Sequence, residues 1–169
     1  MRPLLLGLVV ALAASTAVRA DSIWRVTGAP GDPVFALIAT INANKGATWT
    51  FQCEAETIAV MQTAVTDLMD IQTGQKVADG PGAVMAPGAA VMGLMSDKNN
   101  SGFLPALTRP NPRLGWDMMI RLPKKDRALR GLAKAKLVTV MTTGFTVAAF
   151  IEPEDRLVIT GFLDRCLKD

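Results

Sequence analysis

Four segments before residue 66 have the composition and periodicity of β-strands. The segments are residues 23–27, 34–41, 48–53 and 57–65. In the third segment, TWTFQC, the side chains of Trp49, Phe51 and Cys53 share one face, which places the cysteine on the apolar side of the strand. The second segment is apolar on both faces, so it predicts a strand covered on both sides, and the same run also fits a short buried helix. Residues 42–46 (NANKG) predict a hairpin turn.

The middle of the chain carries weaker signals. Residues 67–77 predict a strand pair or a bent strand, and residues 78–90 (ADGPGAVMAPGAA) a flexible Gly/Pro/Ala linker. Residues 91–95 predict a brief strand, and residues 97–102 (DKNNSG) a tight turn. Three prolines in residues 104–113 keep that segment out of the centre of a sheet, because proline has no N–H to donate.

The last third of the chain has the sharpest pattern. A strand over residues 114–122 precedes Pro123, which opens a helix that runs to about Ala135. Residues 137–151 then predict a hairpin that turns at Thr143 and Gly144.

A second helix begins at Pro153, with proline at the first helical position. Its apolar residues recur at helical spacing and are Val158, Ile159, Phe162, Leu163, Cys166 and Leu167. Gly161 weakens this helix by about 1 kcal/mol relative to alanine, so we expect packing or local crowding around it. The sum of the elements is an α+β fold, an antiparallel sheet or sandwich with two helices near the C-terminus.

The start of the chain has the parts of a secretory signal peptide. Residues 1–20 comprise a positive start at Arg2, an apolar run over residues 4–14 and small residues before Asp21. We predict cleavage between Ala20 and Asp21. The apolar run is shorter than the ~20 residues that a membrane-spanning helix needs, and no later segment is long enough either.

The mature chain is then one domain, residues 21–169, in the periplasm or outside the cell. Loss of Arg2 and Arg19 lowers the 18 basic residues to 16 against 15 acidic ones, so the net charge falls from +3 to +1. A near-neutral exported domain argues against a nucleic-acid partner. In such a compartment the two cysteines, Cys53 and Cys166, predict one disulfide bond.

Residues for catalysis are few. The chain has no histidine and no tyrosine, which excludes Ser-His-Asp and Cys-His sites. The carboxylates of Glu54, Glu56, Asp67 and Asp70 fit solvated turns better than a catalytic pair. The sequence therefore predicts a protein that is not an enzyme and needs no cofactor or metal.

Methionines offer one alternative to that view. Five of them could approach one another, and thioethers are soft ligands that bind Cu(I). They are Met85, Met92, Met95, Met118 and Met119. Because no histidine assists, packing in the core is the favoured interpretation.

Residues 121–136 concentrate positive charge, with Asp126 as their one acid. Six of the basic residues form a candidate binding face on the outer side of the predicted helix: Arg121, Lys124, Lys125, Arg127, Arg130 and Lys134. Lys136 follows them. A solvated helix face is the simpler interpretation, and a docking surface for an anionic partner is the functional one.

Two segments carry a family resemblance: TWTFQC at residues 48–53, and FTVAAFIEPEDRLVITGFLDRCL at residues 145–167. A strand that ends in cysteine, followed much later by a hairpin and a helix that ends in cysteine, resembles small exported proteobacterial proteins such as the VasI-like proteins associated with type VI secretion. The resemblance implies a disulfide-stapled periplasmic accessory domain and transfers no catalytic residue. The Met-rich, Gly/Pro-rich middle departs from it.

Three functions follow from these observations. The leading one is a non-enzymatic exported module that docks a protein or an anionic envelope component through the basic helix. The second is an inhibitor or immunity protein against an envelope hydrolase, with the loop at residues 99–102 as the inserted element. An enzyme or metal carrier is the third.

Overall fold

The computed structural model of the protein describes residues 19–20, 22–41, 48–79 and 82–168. In chain order, the strands are β1 (Arg19–Ala20), β2 (Ser22–Thr27), β3 (Ala36–Ile41), β4 (Thr48–Cys53), β5 (Thr57–Val65), β6 (Val91–Ser96), β7 (Asn99–Asn100), β8 (Leu104–Pro105), β9 (Leu107–Pro110), β10 (Trp116–Pro123), β11 (Leu137–Thr142) and β12 (Phe145–Phe150). The helices are α1 (Arg127–Leu132) and α2 (Pro153–Cys166). The predicted α+β class, with antiparallel sheets and one helix at the C-terminal end, is confirmed.

The first sheet has the strand order β2-β3-β4-β5-β10-β9. Its first four strands form a meander of chain neighbours, and β10 joins from much later in the chain by pairing antiparallel with β5. Alternation places the aromatic residues on the inner face, where the Trp24 ring lies 6.3 Å from Trp49 and 5.9 Å from Phe51. These rings belong to the hydrophobic core.

The second sheet has the order β1-β12-β11-β6-β7, and β8 also pairs with β6. The β11–β12 hairpin turns at Thr143 and Gly144, as predicted. Gly144 has φ +90°, and a Cβ atom there would lie 2.6 Å from the carbonyl oxygen of Asp67, so only glycine fits. β1 is parallel to β12, with Arg19 opposite Ala148 and Ala20 opposite Ala149.

Each helix covers one sheet. The apolar side of α1, formed by Ala128, Leu129 and Leu132, is buried against β6 and β7. The second helix packs on β2 and β3, with the Phe162 ring 5.0 Å from Phe35.

The predicted disulfide bond between Cys53 and Cys166 is confirmed. The two sulfur atoms are bonded at 2.04 Å and the Cα atoms lie 5.7 Å apart. Cys53 ends β4 and Cys166 ends α2, so the bond fixes the last helix to the first sheet.

Two local expectations are wrong. The first helix has six residues, Arg127–Leu132, and not the whole of residues 123–135. Gly161 is not crowded, because a Cβ atom built there meets nothing within 4 Å.

The middle segment is more firmly held than its composition indicates. Residues 67–77 contain a single bridge, between Met69 and Lys76, rather than a strand pair. The amide of Ile71 donates to the carbonyl of Ala89 at 2.8 Å, and Ala89 and Ala90 are buried. The second half of the predicted linker is thus anchored to the core.

Some expectations lie outside the described residues: the signal peptide before Arg19, the residue Asp21 at the predicted cleavage point, and the turn at residues 42–46. Within the described ranges, no helix is both long enough and apolar enough to cross a bilayer.

Candidate functional site

The predicted basic face begins where β10 ends. Pro123 is the last residue of the strand, and its carbonyl accepts the amide of Asp126 at 2.8 Å, which closes a turn over Lys124 and Lys125. The Asp126 carboxylate then accepts the amide of Ala128 at 2.8 Å and caps α1. The helix therefore begins at Arg127, four residues later than a start at Pro123 would give.

Burial on the inner side of α1 decides which side chains face solvent. The hydroxyl of Ser96 donates to the carbonyl of Ala128 at 2.7 Å and joins the helix to β6. With Ala128 and Leu129 buried, Arg127 and Arg130 are exposed on the opposite side. The position of the cations thus follows from the packing of the helix.

We define the basic surface as five residues around this helix: Lys124, Lys125, Arg127, Arg130 and Lys134. Lys124 is half-buried and the other four are exposed. The ion pairs among the described residues are Lys76 with Asp67, Arg109 with Asp117, and Arg121 with Glu54. None of the five takes part in them.

Arg121 was predicted to belong to this face, but its charge is compensated. Its Nε lies 3.0 Å from Oε2 of Glu54, a residue 67 positions away in sequence. Burial of the Glu54 carboxyl opposes ionisation, but hydrogen bonds from Thr57 and Arg121 and the charge of Arg121 lower its pKa from the ordinary value. We therefore leave Arg121 out of the basic surface.

Two acidic residues near the basic surface, Asp126 and Asp97, accept hydrogen bonds from the backbone. Asp126 caps the helix, as described above. The Asp97 carboxylate accepts the amides of Lys136 and Leu137 at 3.0 and 2.9 Å, so it lies beside Lys136 and marks the end of the positive region.

Lys124 also borders a cleft of about 340 Å³ beside the disulfide bond. The cleft is lined in part by Phe35, Glu54 and Arg165, and the Arg165 guanidinium lies 5.2 Å from the centre of the Phe35 ring. The other four basic residues, Lys125, Arg127, Arg130 and Lys134, are exposed to solvent.

The loop that an inhibitor would insert is held in place. Asn99 and Asn100 form β7, which pairs with β6. The hydroxyl of Ser101 accepts the amide of Leu94 at 3.0 Å, and the Asn100 side chain accepts the amide of Gly102 at 2.7 Å. Residues 99–102 are therefore part of the sheet edge and do not form a protruding loop.

The methionines are divided between the sheets. Met92 and Met95 lie on β6 of the second sheet, and Met118 and Met119 lie on adjacent positions of β10 in the first. Met92 and Met118 are fully buried in the core, and Met85 packs against it. Among the described residues, no group of three or more His, Cys, Asp or Glu side chains is placed to hold a metal ion.

Three buried polar groups were not identified from the sequence: the Asp117 carboxylate, the Gln62 amide and the Trp49 indole N–H. Asp117 accepts hydrogen bonds from Arg109 at 3.0 Å and from Asn111 at 2.6 Å, which holds β9 beside β10. The position of this acid within the apolar run WDMMI could have indicated that Asp117 is buried and hydrogen-bonded. The Gln62 side chain and the Trp49 indole N–H are buried without a partner among the described residues, and their strands pair at these two positions.

The chain was also compared with known proteins. No protein-family model, no curated protein and no solved structure matches it.

Proposed function

We propose that the protein is an exported, non-enzymatic accessory module that binds an extended anionic surface of the cell envelope through the basic surface. One observation carries the proposal. Five cationic side chains surround α1 without an ion pair in the described part of the chain, and the one acid of the run, Asp126, is used as a helix cap.

The shape of the surface favours an extended partner over a small ligand. Small molecules bind in concave, largely apolar pockets, whereas four of these five charged side chains are exposed to solvent. Open clusters of one charge attract oppositely charged surfaces over roughly 8–10 Å at moderate salt. An acidic protein face, an anionic polymer and a layer of lipid head groups all present charge in this form.

The predicted signal peptide supports an envelope location, and the resemblance to VasI-like proteins supports an accessory role. The disulfide bond is compatible with an oxidising compartment. No specific observation supports the inhibitor or immunity hypothesis, because residues 99–102, which such an inhibitor would insert, are bound to β6.

The test compares two variants that lose the same charge. The first replaces Lys125, Arg127 and Arg130 with glutamine. The control replaces three exposed cations elsewhere, Arg25, Arg113 and Lys168, with glutamine. Binding is measured at low and high salt to vesicles of phosphatidylglycerol with phosphatidylcholine, to vesicles of phosphatidylcholine alone, and to immobilised polyglutamate.

A basic residue near an anionic surface contributes about 1 kcal/mol to the free energy of binding. Replacement of three such residues should therefore weaken the affinity about a hundredfold. We expect that loss in the first variant and a much smaller one in the control. Binding to vesicles but not to polyglutamate would identify lipid, and the reverse would identify an acidic protein. Equal losses in both variants, or no binding by the unmodified protein to either anionic probe, would refute the proposal.

A further inference from the structure

The free edges of the two sheets differ in how they are protected. An unprotected edge strand can pair with another chain, and proteins prevent this with prolines, charges, short strands or a covering element. On the first sheet, β9 carries Arg109 and Pro110 at one edge. At the other edge, α2 packs on β2. Both edges of this sheet are therefore blocked.

The second sheet is protected at one edge only. There, β7 and β8 have two residues each, and β8 ends in Pro105. The opposite edge is β12, with the sequence FTVAAF, which has neither a charge nor a proline. The whole hairpin from residue 137 to residue 151 has no charged side chain. In the described part of the chain, only β1 pairs with this edge.

The backbone groups that β12 presents at its edge can be assigned from the hairpin. The two-residue turn makes Thr142 and Phe145 a hydrogen-bonded pair, so alternate residues from Phe145 onward bond to β11. Thr146, Ala148 and Phe150 must then direct their N–H and C=O groups to the edge. A contact agrees with this assignment, because the Ser22 hydroxyl donates to the carbonyl of Phe150 at 3.0 Å.

The strand that covers this edge belongs to the predicted signal peptide. β1 is Arg19–Ala20, and the predicted cleavage point follows Ala20. We propose that cleavage exposes the edge of β12, and that an extended segment of a protein partner then pairs with it in parallel. The inference rests on export as stated in the proposed function, but it does not involve the basic surface.

The direction of pairing argues for a partner segment rather than a second copy of the chain. β1 runs parallel to β12, so the position accommodates a parallel strand. Two copies of β12 related by a two-fold axis would pair antiparallel. Ala148 and Ala149, the β12 residues that β1 pairs with, are buried and small. Addition of a strand in this way binds mainly through main-chain hydrogen bonds.

Amide hydrogen exchange tests the proposal on the uncleaved full chain and on the processed chain recovered from the periplasm. We expect the amide of Ala148 to exchange at least tenfold faster in the processed chain, while Val147 and Ala149 stay protected in both. A peptide of residues 15–20 (STAVRA), added in excess, serves as the probe and should restore protection at Ala148. That protection should not depend on salt, unlike binding through the basic surface.

Two variants complete the experiment. Thr146→Pro removes an edge N–H and should weaken the effect of the peptide, whereas Thr146→Val keeps the edge and should not. Circular dichroism verifies that both variants fold. Three results would each overturn the proposal. The first is an Ala148 amide that is protected in the processed chain without added peptide. The others are protection that rises with protein concentration, and a processed chain whose mass shows that Arg19 and Ala20 are retained.

Discussion

Loss of the disulfide bond is the perturbation from which we expect the largest change in stability. The cysteines are 113 residues apart, and in the chain-entropy model a cross-link over such a loop stabilises the fold by about 5 kcal/mol. The free energy of unfolding of an ordinary domain is about 5–15 kcal/mol. The bond between Cys53 and Cys166 therefore accounts for a third or more of the stability.

Two versions of the perturbation separate the cross-link from the packing of the sulfur atoms. A reductant breaks the bond and leaves both side chains in place. The double substitution Cys53→Ala and Cys166→Ala also removes a sulfur atom from a fully buried position, since Cys166 is 1% exposed. We expect the reduced protein to lose about 4–5 kcal/mol and the double variant about 1 kcal/mol more.

Urea unfolding, followed by circular dichroism, measures the difference. With a slope of about 2 kcal/mol per molar urea, the midpoint should fall by about 2 M on reduction. A thiol assay verifies that both cysteines are free. A midpoint that changes by less than about 0.3 M in fully reduced protein would refute the reasoning, because the loop closed by the bond would then contribute almost nothing.

Two further substitutions test single positions by the same urea titration. Gly161→Ala should raise the free energy of unfolding by about 0.5–1 kcal/mol, because alanine favours the helix and its Cβ meets nothing within 4 Å; a decrease would mean that the position is crowded after all. Gln62→Met should raise the free energy of unfolding by about 1 kcal/mol, because the buried amide has no partner among the described residues. A decrease of more than about 1 kcal/mol would mean that the amide is hydrogen-bonded in solution.

Strands that pair with their chain neighbours could be predicted from the sequence. The meander from β2 to β5 and the β11–β12 hairpin each have their own alternation and their own turn, so the local pattern is enough. The partner of β10 could not be predicted in this way. It pairs with β5, about fifty residues earlier, and the sequence near β10 contains no pattern that identifies this partner.

The extent of the first helix was overestimated because two start signals were present. Pro123 suits the first position of a helix, but it belongs to β10 and forms a turn with Asp126. Asp126 is the residue that caps α1, by accepting the amide of Ala128. The carbonyl of Gly131 accepts the amide of Lys134 at 3.0 Å, three residues away, which tightens the chain just after the helix.

The basic surface could be predicted as a concentration of charge, but its membership depends on contacts that are distant in sequence. Arg121 has the same charge and lies in the same run as Lys124 and Arg127. Only the fold brings Glu54 to its side. Asp126, the one acid of the run, caps the helix by accepting the amide of Ala128.

The two proposed surfaces differ in what each can contribute to binding. Charge on open surface speeds encounter and weakens as salt rises, whereas main-chain pairing at a strand edge mainly slows dissociation. The basic surface lies around α1, and β12 continues through Ile151 and Glu152 into α2, whose last residue is fixed to β4 by the disulfide bond. The strand edge is thus held between a tight turn at one end and a cross-linked helix at the other. If the signal peptide is removed, such an edge needs little ordering before it pairs, and a pre-ordered edge keeps more of the free energy of binding than a mobile one.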